Sequence, residues 1–246
     1  MPQNENVLVI PKPLKRLLAM FIDGFPDGMP ENVVKLWTND ATVFNAAVAR
    51  TLIPPEKVVA SAGSDFAEKL KAQENFWRRL FPTMDFGFEP ENMLVWPRPS
   101  GHDRLLVTPR GLWGNRLYEK CAEKFPCWRY TDDLDKMVHF SGSPYVATAR
   151  WFRDRQEADE ELAGKSALDL EQMLIPGIIV PERELYELVF FEETGDHLDK
   201  KNETLNSGSR PPDGRVPRAG FRGGRFSVGW CRADGRDPGL RSRSAG

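Results

Sequence analysis

The sequence predicts an α+β protein, with helices through the middle of the chain and strands and turns towards its C-terminal end. Three observations indicate this fold class. Apolar residues recur at helical spacing in residues 64–81 and 182–195, short apolar runs fill much of the stretch between them, and residues 225–231 alternate between two sets of side chains. The chain has 246 residues, of which 40% are hydrophobic and 28% are charged, which is typical of a globular protein with a substantial core.

Residues 1–63 are expected to form a helical N-terminal extension, because residues 14–22 make a short helix candidate directly after Pro13. Residues 64–246 are expected to form the main domain. No apolar run approaches the roughly 18 residues that a membrane span needs, and the first residues lack the pattern of a signal peptide. We therefore expect no membrane span and a cytoplasmic location.

The first helix of the main domain is predicted over residues 64–81, where Phe66, Leu70 and Trp77 recur at near-helical spacing and Pro82 ends the pattern. The next part is expected to be mixed. Its predicted strands are 93–96, 104–108, 128–130 and 145–151, and its predicted helices are 112–125 and 149–170. Four tryptophans are interpreted as core residues, namely Trp77, Trp113, Trp128 and Trp151.

A second long helix is predicted to begin at Pro181 and Glu182 and to end at Gly195, a residue type that favours the position after a helix. After it, strands and turns are expected. In the last predicted strand the inward residues are Phe226, Val228 and Trp230, and the outward residues are Arg225, Ser227, Gly229 and Cys231. The preceding strand is expected to oppose Pro217, Ala219 and Phe221 to Arg218, Gly220 and Arg222. One face would anchor the sheet and the other would be displayed.

The last forty residues, 207–246, differ sharply from the rest in composition. They contain nine Arg, no Lys and none of Glu, Gln or Met, although those four missing types supply 42 of the preceding 206 residues. Nine Arg against three Asp give this segment a charge of about +6, and the overall charge of −2 leaves about −8 on residues 1–206. Such an asymmetry indicates a binding surface or a basic tail.

Several short segments of the sequence resemble those of a known protein family. ERELYELVFFEETGDHLD, TLNSGSR, DGRVP, FSVGW and GLRSR resemble the C-terminal half of variable proteins of diversity-generating retroelements, in particular a group from uncultivated small-genome bacteria. The likeness extends from about Phe76 to the end of the chain. It implies a C-type-lectin-like domain with small antiparallel sheets and flanking helices, in the branch shared with formylglycine-generating enzymes.

The resemblance also implies how the missing residue types arise. In that family, adenine-directed mutagenesis diversifies the binding residues, often at AAC-type codons, from which Lys, Glu, Gln, Met and Trp cannot arise. We therefore expect a variable region over 207–243. Its expected ligand-binding residues are Pro211, Pro212, Arg215, Arg218, Gly220, Arg222, Arg225, Ser227, Gly229, Cys231, Arg232 and Arg236. Its expected scaffold residues are Phe226, Val228 and Trp230.

These observations favour a protein that binds a ligand without performing chemistry, its partner being an unknown protein or another macromolecule. The formylglycine-generating enzymes use a pair of C-terminal cysteines, whereas only Cys231 lies in that region here. The three cysteines, Cys121, Cys127 and Cys231, form no disulfide framework and are too isolated for a zinc site. We expect no cofactor, no metal and no catalysis. Three alternatives stay open: RNA or DNA binding through an Arg/Gly-rich C-terminal tail around FRGGRF, an unstructured tail, and an out-of-frame, GC-rich end of no function.

Overall fold

A computed structural model describes residues 64–89, 93–139, 141–142, 144, 147–211 and 213–246. The expected N-terminal extension, residues 1–63, lies outside the described residues. The α-helices within them are α1 (Phe66–Leu80), α2 (Gly114–Lys124), α3 (Ala167–Gln172) and α4 (Val180–Thr194). The strands are β1 (Met93–Val95), β2 (Arg104–Thr108), β3 (Cys127–Arg129), β4 (Val138–His139), β5 (Ala147–Phe152), β6 (Glu203–Leu205), β7 (Ser209–Arg210), β8 (Val216–Arg222), β9 (Arg225–Cys231) and β10 (Leu240–Ser242). None of these helices is both long and apolar enough to cross a membrane.

The described strands form three small sheets, which confirms the α+β class. One sheet has the order β1-β5-β2, a larger one has the order β10-β6-β8-β9-β3, and β4 pairs with β7 alone. The expectation of antiparallel sheets is wrong for the two larger ones, which are mixed. In these sheets β1 pairs in parallel with β5, β3 with β9, and β10 with β6. Each parallel pair joins segments that are far apart in sequence, so no local sequence pattern predicts the pairing.

Helix α4 occupies the centre of the domain. It packs against α2, β2 and β8, and its Leu185, Leu188 and Val189 lie in one buried cluster with Ala219 and Val228 of the larger sheet. All ten residues from its first, Val180, to Val189 are buried. A helix that is buried on every side must satisfy its charged residues inside the protein. This explains the ion pairs found beneath the sheet.

The ends of α4 follow the sequence signals. Pro181 stands in the first turn, where its missing N–H costs nothing, and the carboxylate of Glu182 accepts a hydrogen bond of 3.0 Å from the N–H of Ile179. Glu182 also pairs with Arg150 of β5 at 2.9 Å, both side chains being buried. Gly195 ends the helix with φ 69°, a left-handed conformation that glycine adopts without strain.

Most of the predicted elements are present with small shifts at their ends. The strands predicted over 104–108 and 225–231 have the predicted bounds, and the helix predicted over 64–81 spans Phe66–Leu80. The helix predicted over 149–170 is wrong. Its first residues belong to the buried strand β5, and only Ala167–Gln172 is α-helical, beginning where the Ser166 hydroxyl accepts from the N–H of Asp169 at 3.1 Å.

Candidate functional site

Strands β8 and β9 form a hairpin whose register separates two sets of side chains. The pairs Ala219↔Val228 and Phe221↔Phe226 alternate with Arg218↔Gly229, Gly220↔Ser227 and Arg222↔Arg225. Directly paired residues in a sheet project to the same side. The two strands therefore agree on which residues face each way, as the sequence pattern predicts.

The hairpin turn consists of Gly223 and Gly224, with φ of 59° and 76°. Positive φ at both central residues is the hallmark of a type I′ turn, which glycine permits and which matches the twist of the flanking strands. The FRGGRF segment therefore forms the tip of an ordered hairpin. The alternative of an unstructured C-terminal tail is wrong for the described residues, since β7 to β10 all lie beyond residue 206.

The inner face of the hairpin is anchored by Phe226 and Val228, both 0% exposed, as predicted. They share the central buried cluster with α4 and with Ala219. Phe221 is half-buried and stacks on the ring of His197 with centroids 3.5 Å apart. These contacts fix the position of the sheet by burial of apolar surface.

Trp230, the third predicted scaffold residue, is not buried. Its side chain is 43% exposed, although strand alternation puts it on the same side as Val228. Trp230 stands near the end of β9, outside the buried cluster that holds Phe226 and Val228. The guanidinium of Arg215 covers its ring instead, 4.2 Å from the centroid. The prediction fails because alternation gives the direction of a side chain and not the extent of the core.

The outer face of β8, β9 and β3 carries an open groove of about 430 Å³, called here the outer groove. It is lined by residues from four strands and the hairpin turn. These residues are Trp128, Glu203, Arg218, Arg222, Gly223, Arg225, Ser227 and Gly229. Five of them belong to the predicted ligand-binding set and lie on the two hairpin strands, whereas Gly220 and Cys231 of the same strands do not line the groove.

The charges of the outer groove are unequally compensated. Arg218 pairs with Glu203 across β8 and β6, with Nη1 and Oε2 2.6 Å apart. Arg222 donates to the backbone oxygen of Lys201 at 3.2 Å, and the Arg225 guanidinium lies 5.6 Å from the centre of the Trp128 ring. Three arginines and one glutamate leave two positive charges in the groove. Such a surface favours acidic groups and flat polar groups.

Two predicted contact residues are buried. Gly220 faces the outer side, but a Cβ there would lie 3.1 Å from the backbone oxygen of Asn202 and 3.2 Å from that of Asp199. A side chain there would be in tight contact with these backbone oxygens, which would have to give way by a few tenths of an ångström. Pro211 is buried because it directly follows β7, whose pairing with β4 holds it against the domain. Pro212 lies outside the described residues.

The remaining described residues of the predicted contact set do not line the groove. Cys231 is half-buried and packs with Val216 and Leu205 against α3. Arg232 and Arg236 are exposed in the segment after β9, where they pair with Asp234 at 2.9 Å and Asp169 at 2.6 Å. Arg215 precedes β8 and covers Trp230 on the other side. Cys231 and Arg236 thus lie against α3 rather than in the groove.

Trp128, Glu203 and Gly223 are the groove residues that the sequence pattern does not predict. The sequence predicts four core tryptophans, and Trp77, Trp113 and Trp151 are buried as predicted. The prediction is wrong for Trp128, whose side chain is 42% exposed. It faces outward because β3 pairs in parallel with β9 and aligns Trp128 with Ser227. Only this long-range pairing reveals its side. Within the strand, the local pattern shows only that Trp128 points to the opposite face from Cys127 and Arg129.

A buried ion network lies beneath the inner face. Arg183 of α4 pairs with Glu187 at 2.7 Å and with Asp199 at 2.9 Å, and Arg243 reaches the same Asp199 at 2.7 Å. All four side chains are at most 2% exposed. Arg243 lies at the end of the predicted variable region, yet it holds the fold. The region 207–243 therefore mixes structural and displayed residues.

The three cysteines are free thiols that resist ionisation. Burial is the main cause that raises the pKa of Cys121 well above its usual value, that of Cys127 to about 12, and that of Cys231 above its usual value. The thiolate is the nucleophilic and metal-binding form. Among the residues that the structure describes, no three His, Cys, Asp or Glu side chains come together in a way that could hold a metal ion.

No protein-family model, curated protein or solved structure matches this chain. What the outer groove can bind follows from its own residues, namely two uncompensated positive charges, one exposed indole and small residues between them.

Proposed function

We propose that this chain is a ligand-binding protein that performs no chemistry and whose contact surface is the outer groove. The observation that carries the proposal is the hairpin register, which groups Arg218, Arg222 and Ser227 on one side and Phe226 and Val228 on the other. Contact residues on such a face can change with little loss of stability, because the residues that hold the fold belong to the other face.

The outer groove is also preorganised. Its strands belong to one five-stranded sheet, and the hairpin ends in a two-glycine turn. The buried pair of Asp199 and Arg243 ties β10 to the segment before β6. A surface that is already ordered loses less conformational entropy when it binds. This supports recognition of a macromolecule by a fixed surface.

We also propose that the groove residues of 207–243 are diversified by a retroelement, on a C-type-lectin-like domain in the cytoplasm. The proposal is supported by the missing residue types of 207–246 and by the hairpin register. Gly220, Ser209 and Arg243 are buried, so they would be fixed. Comparison of the DNA encoding 207–243 with a neighbouring repeat tests this, and mismatches at positions other than adenines would contradict it.

RNA or DNA binding is the second candidate function. One observation favours it, the presence of Arg222 and Arg225 beside the exposed ring of Trp128. Arginines and aromatic rings are the usual contacts for phosphates and unstacked bases. Catalysis by a cysteine is disfavoured, because burial raises the pKa of all three thiols.

A pair of display libraries tests the binding function. The outward library randomises Arg218, Arg222, Arg225, Ser227 and Gly229, and it is selected on several unrelated immobilised proteins. We expect folded binders to more than one target, since surface substitutions of this kind usually shift the free energy of unfolding by less than about 0.5 kcal/mol each.

The matched control library randomises Ala219, Phe226 and Val228, which lie on the inner face of the same two strands. Most of its members should fail to fold, because they lose buried apolar contacts. The proposal is wrong if both libraries lose folding equally often. It is also wrong if the outward library stays folded and yields no binder to any target.

A further inference from the structure

The nine arginines of residues 207–246 differ in whether a carboxylate neutralises them. Six form ion pairs with Asp or Glu, those at positions 210, 215, 218, 232, 236 and 243. Arg241 lies in a shallow pocket beside Glu157, Glu160 and Glu161. Among the described residues, Arg222 and Arg225 form no ion pair, and no acidic side chain other than Glu203 lines their groove. Glu203 is held by Arg218.

These two arginines also stand directly opposite each other. Arg222 and Arg225 are register partners on either side of the Gly223-Gly224 turn, and both are exposed. Like charges at directly opposed positions destabilise a strand pair. An anion held by both guanidinium groups would replace this repulsion with two charge-assisted hydrogen-bonding contacts. The hairpin tip is therefore prepared for a negatively charged group.

An aromatic surface adjoins the two charges. Trp128 is 42% exposed, and the Arg225 guanidinium lies 5.6 Å from the centre of its ring. Tryptophan and arginine are the residue types that most often dominate protein–protein interfaces, because they combine a large apolar area with directed polar contacts. The combination fits an acidic residue that is followed by an apolar or aromatic neighbour.

The charge of the rest of the chain decides between two acidic partners. Residues 1–206 carry about −8 and the whole chain −2. A nucleic acid extends its charge over many phosphates and is held by many unpaired cations. Here three arginines of the described C-terminal segment have no carboxylate partner, and two of them, Arg222 and Arg225, stand opposite each other at one turn, while Arg241 lies among glutamates. We propose that the outer groove is a docking site for a short acidic segment of a partner protein, an inference that rests on the proposed function.

The test uses the full chain and two defined probes, a fluorescein-labelled peptide of six glutamates followed by one tyrosine and a thymidine oligonucleotide of equal charge. Fluorescence anisotropy should show that the peptide binds more tightly than the oligonucleotide at physiological salt. The double variant Arg222→Ala/Arg225→Ala should weaken peptide binding at least about tenfold, which corresponds to about 1.4 kcal/mol. Trp128→Ala should weaken it less.

The matched control is Arg232→Ala/Arg236→Ala. It also removes two positive charges, but from arginines that already have carboxylate partners. It should weaken peptide binding less than about threefold, through long-range charge alone. Equal losses in the two double variants would overturn the inference, since net charge would then explain binding. Tighter binding of the oligonucleotide would overturn it in favour of nucleic acid.

A peptide that binds more weakly than about 1 mM to the parent chain would also overturn the inference. The proposed function fails separately. If the outward display library yields binders while the acidic peptide does not bind, the face is a contact surface whose native partner is not acidic. Thermal unfolding of both double variants checks that they fold, and we expect them to, because the replaced side chains are exposed.

Discussion

The inner and outer faces of the β8–β9 hairpin alternate residue by residue, and they hold arginine in opposite ways. Beneath the inner face, Arg183 lies 5.2 Å from the ring of Phe226 and is fully buried between Glu187 and Asp199. On the outer face, Arg225 is exposed and its guanidinium lies 5.6 Å from the centre of the Trp128 ring. A buried charge has to be paired, whereas an exposed one can remain available for a ligand.

Residue type alone does not identify a contact residue. Arg243 and Arg225 belong to the same arginine-rich segment, yet Arg243 is 1% exposed and pairs with Asp199. Its removal would leave Asp199 with one cationic partner fewer in a dry environment. Partners and burial, rather than composition, separate the residues that hold the fold from those free to meet a ligand.

Replacement of adjacent residues on opposite faces of the hairpin should change the free energy of unfolding very differently. Phe226→Ala removes a ring that is 0% exposed and packs on Phe125, with centroids 6.3 Å apart. It should lower the free energy of unfolding by about 3–5 kcal/mol, measured by urea denaturation. Arg225→Ala, the control, should change it by less than about 0.5 kcal/mol. Similar losses for both would show that the outer face also carries stability.

Two glycines on the outer face differ in how much room their surroundings leave for a side chain. A Cβ at Gly220 would lie 3.1 Å from the backbone oxygen of Asn202, whereas one at Gly229 would lie 3.6 Å from Nε of Arg218. Gly220→Ala should therefore cost about 1–3 kcal/mol, as overpacking does. Gly229→Ala should be neutral or slightly stabilising, because it reduces the freedom of the unfolded chain. Thermal unfolding compares the two, and an equally tolerant Gly220 would return this position to the contact set.

The sequence predicted the elements that depend on local patterns. Strand β9 and the end of α4 at Gly195 follow from period-two alternation and from a left-handed glycine, both of which act within a few neighbouring residues. The separation of Phe226 from Arg225 follows from the same alternation, and the register of β8 confirms it.

What failed depends on contacts between distant segments. Trp128 faces outward because β3 aligns with β9 about a hundred residues later, and Trp230 is exposed because the core ends at Val228. Gly220 is excluded from the contact set by backbone atoms of Asn202 and Asp199. No pattern inside one strand contains that information, since each outcome is decided by another part of the chain.

A last prediction concerns a carboxyl group in the interior, whose effect is measured as the change of the free energy of unfolding per pH unit. Glu184 on α4 is 0% exposed, and neither of its carboxyl oxygens has a hydrogen-bond partner among the described residues. Burial is the main cause that raises its pKa well above the usual 4.5, and the charge of Asp135 adds to the rise, while Arg129 and Arg183 oppose it. The folded protein therefore holds this proton more tightly than the unfolded chain does.

A raised pKa in the folded state makes stability decrease as pH rises. The contribution of protonated Glu184 is fully present below about pH 4.5 and is lost as the pH rises through the folded pKa. The parent chain should therefore lose stability relative to Glu184→Gln between pH 5 and 8, by at most about 1.4 kcal/mol per pH unit. Urea denaturation at each pH gives the difference.

Glu161→Gln is the control for this slope, because pairing with exposed Arg155 lowers the pKa of Glu161 to about 2. Glu161 is ionised in both states above pH 5, so its replacement should leave the slope unchanged. If Glu184→Gln also leaves the slope unchanged, Glu184 is not held protonated and the interior tolerates an unpaired charge. Unpaired charges would then occur in the interior as well as in the outer groove. The absence of a carboxylate partner would no longer distinguish the exposed arginines of the groove from the buried charged residues.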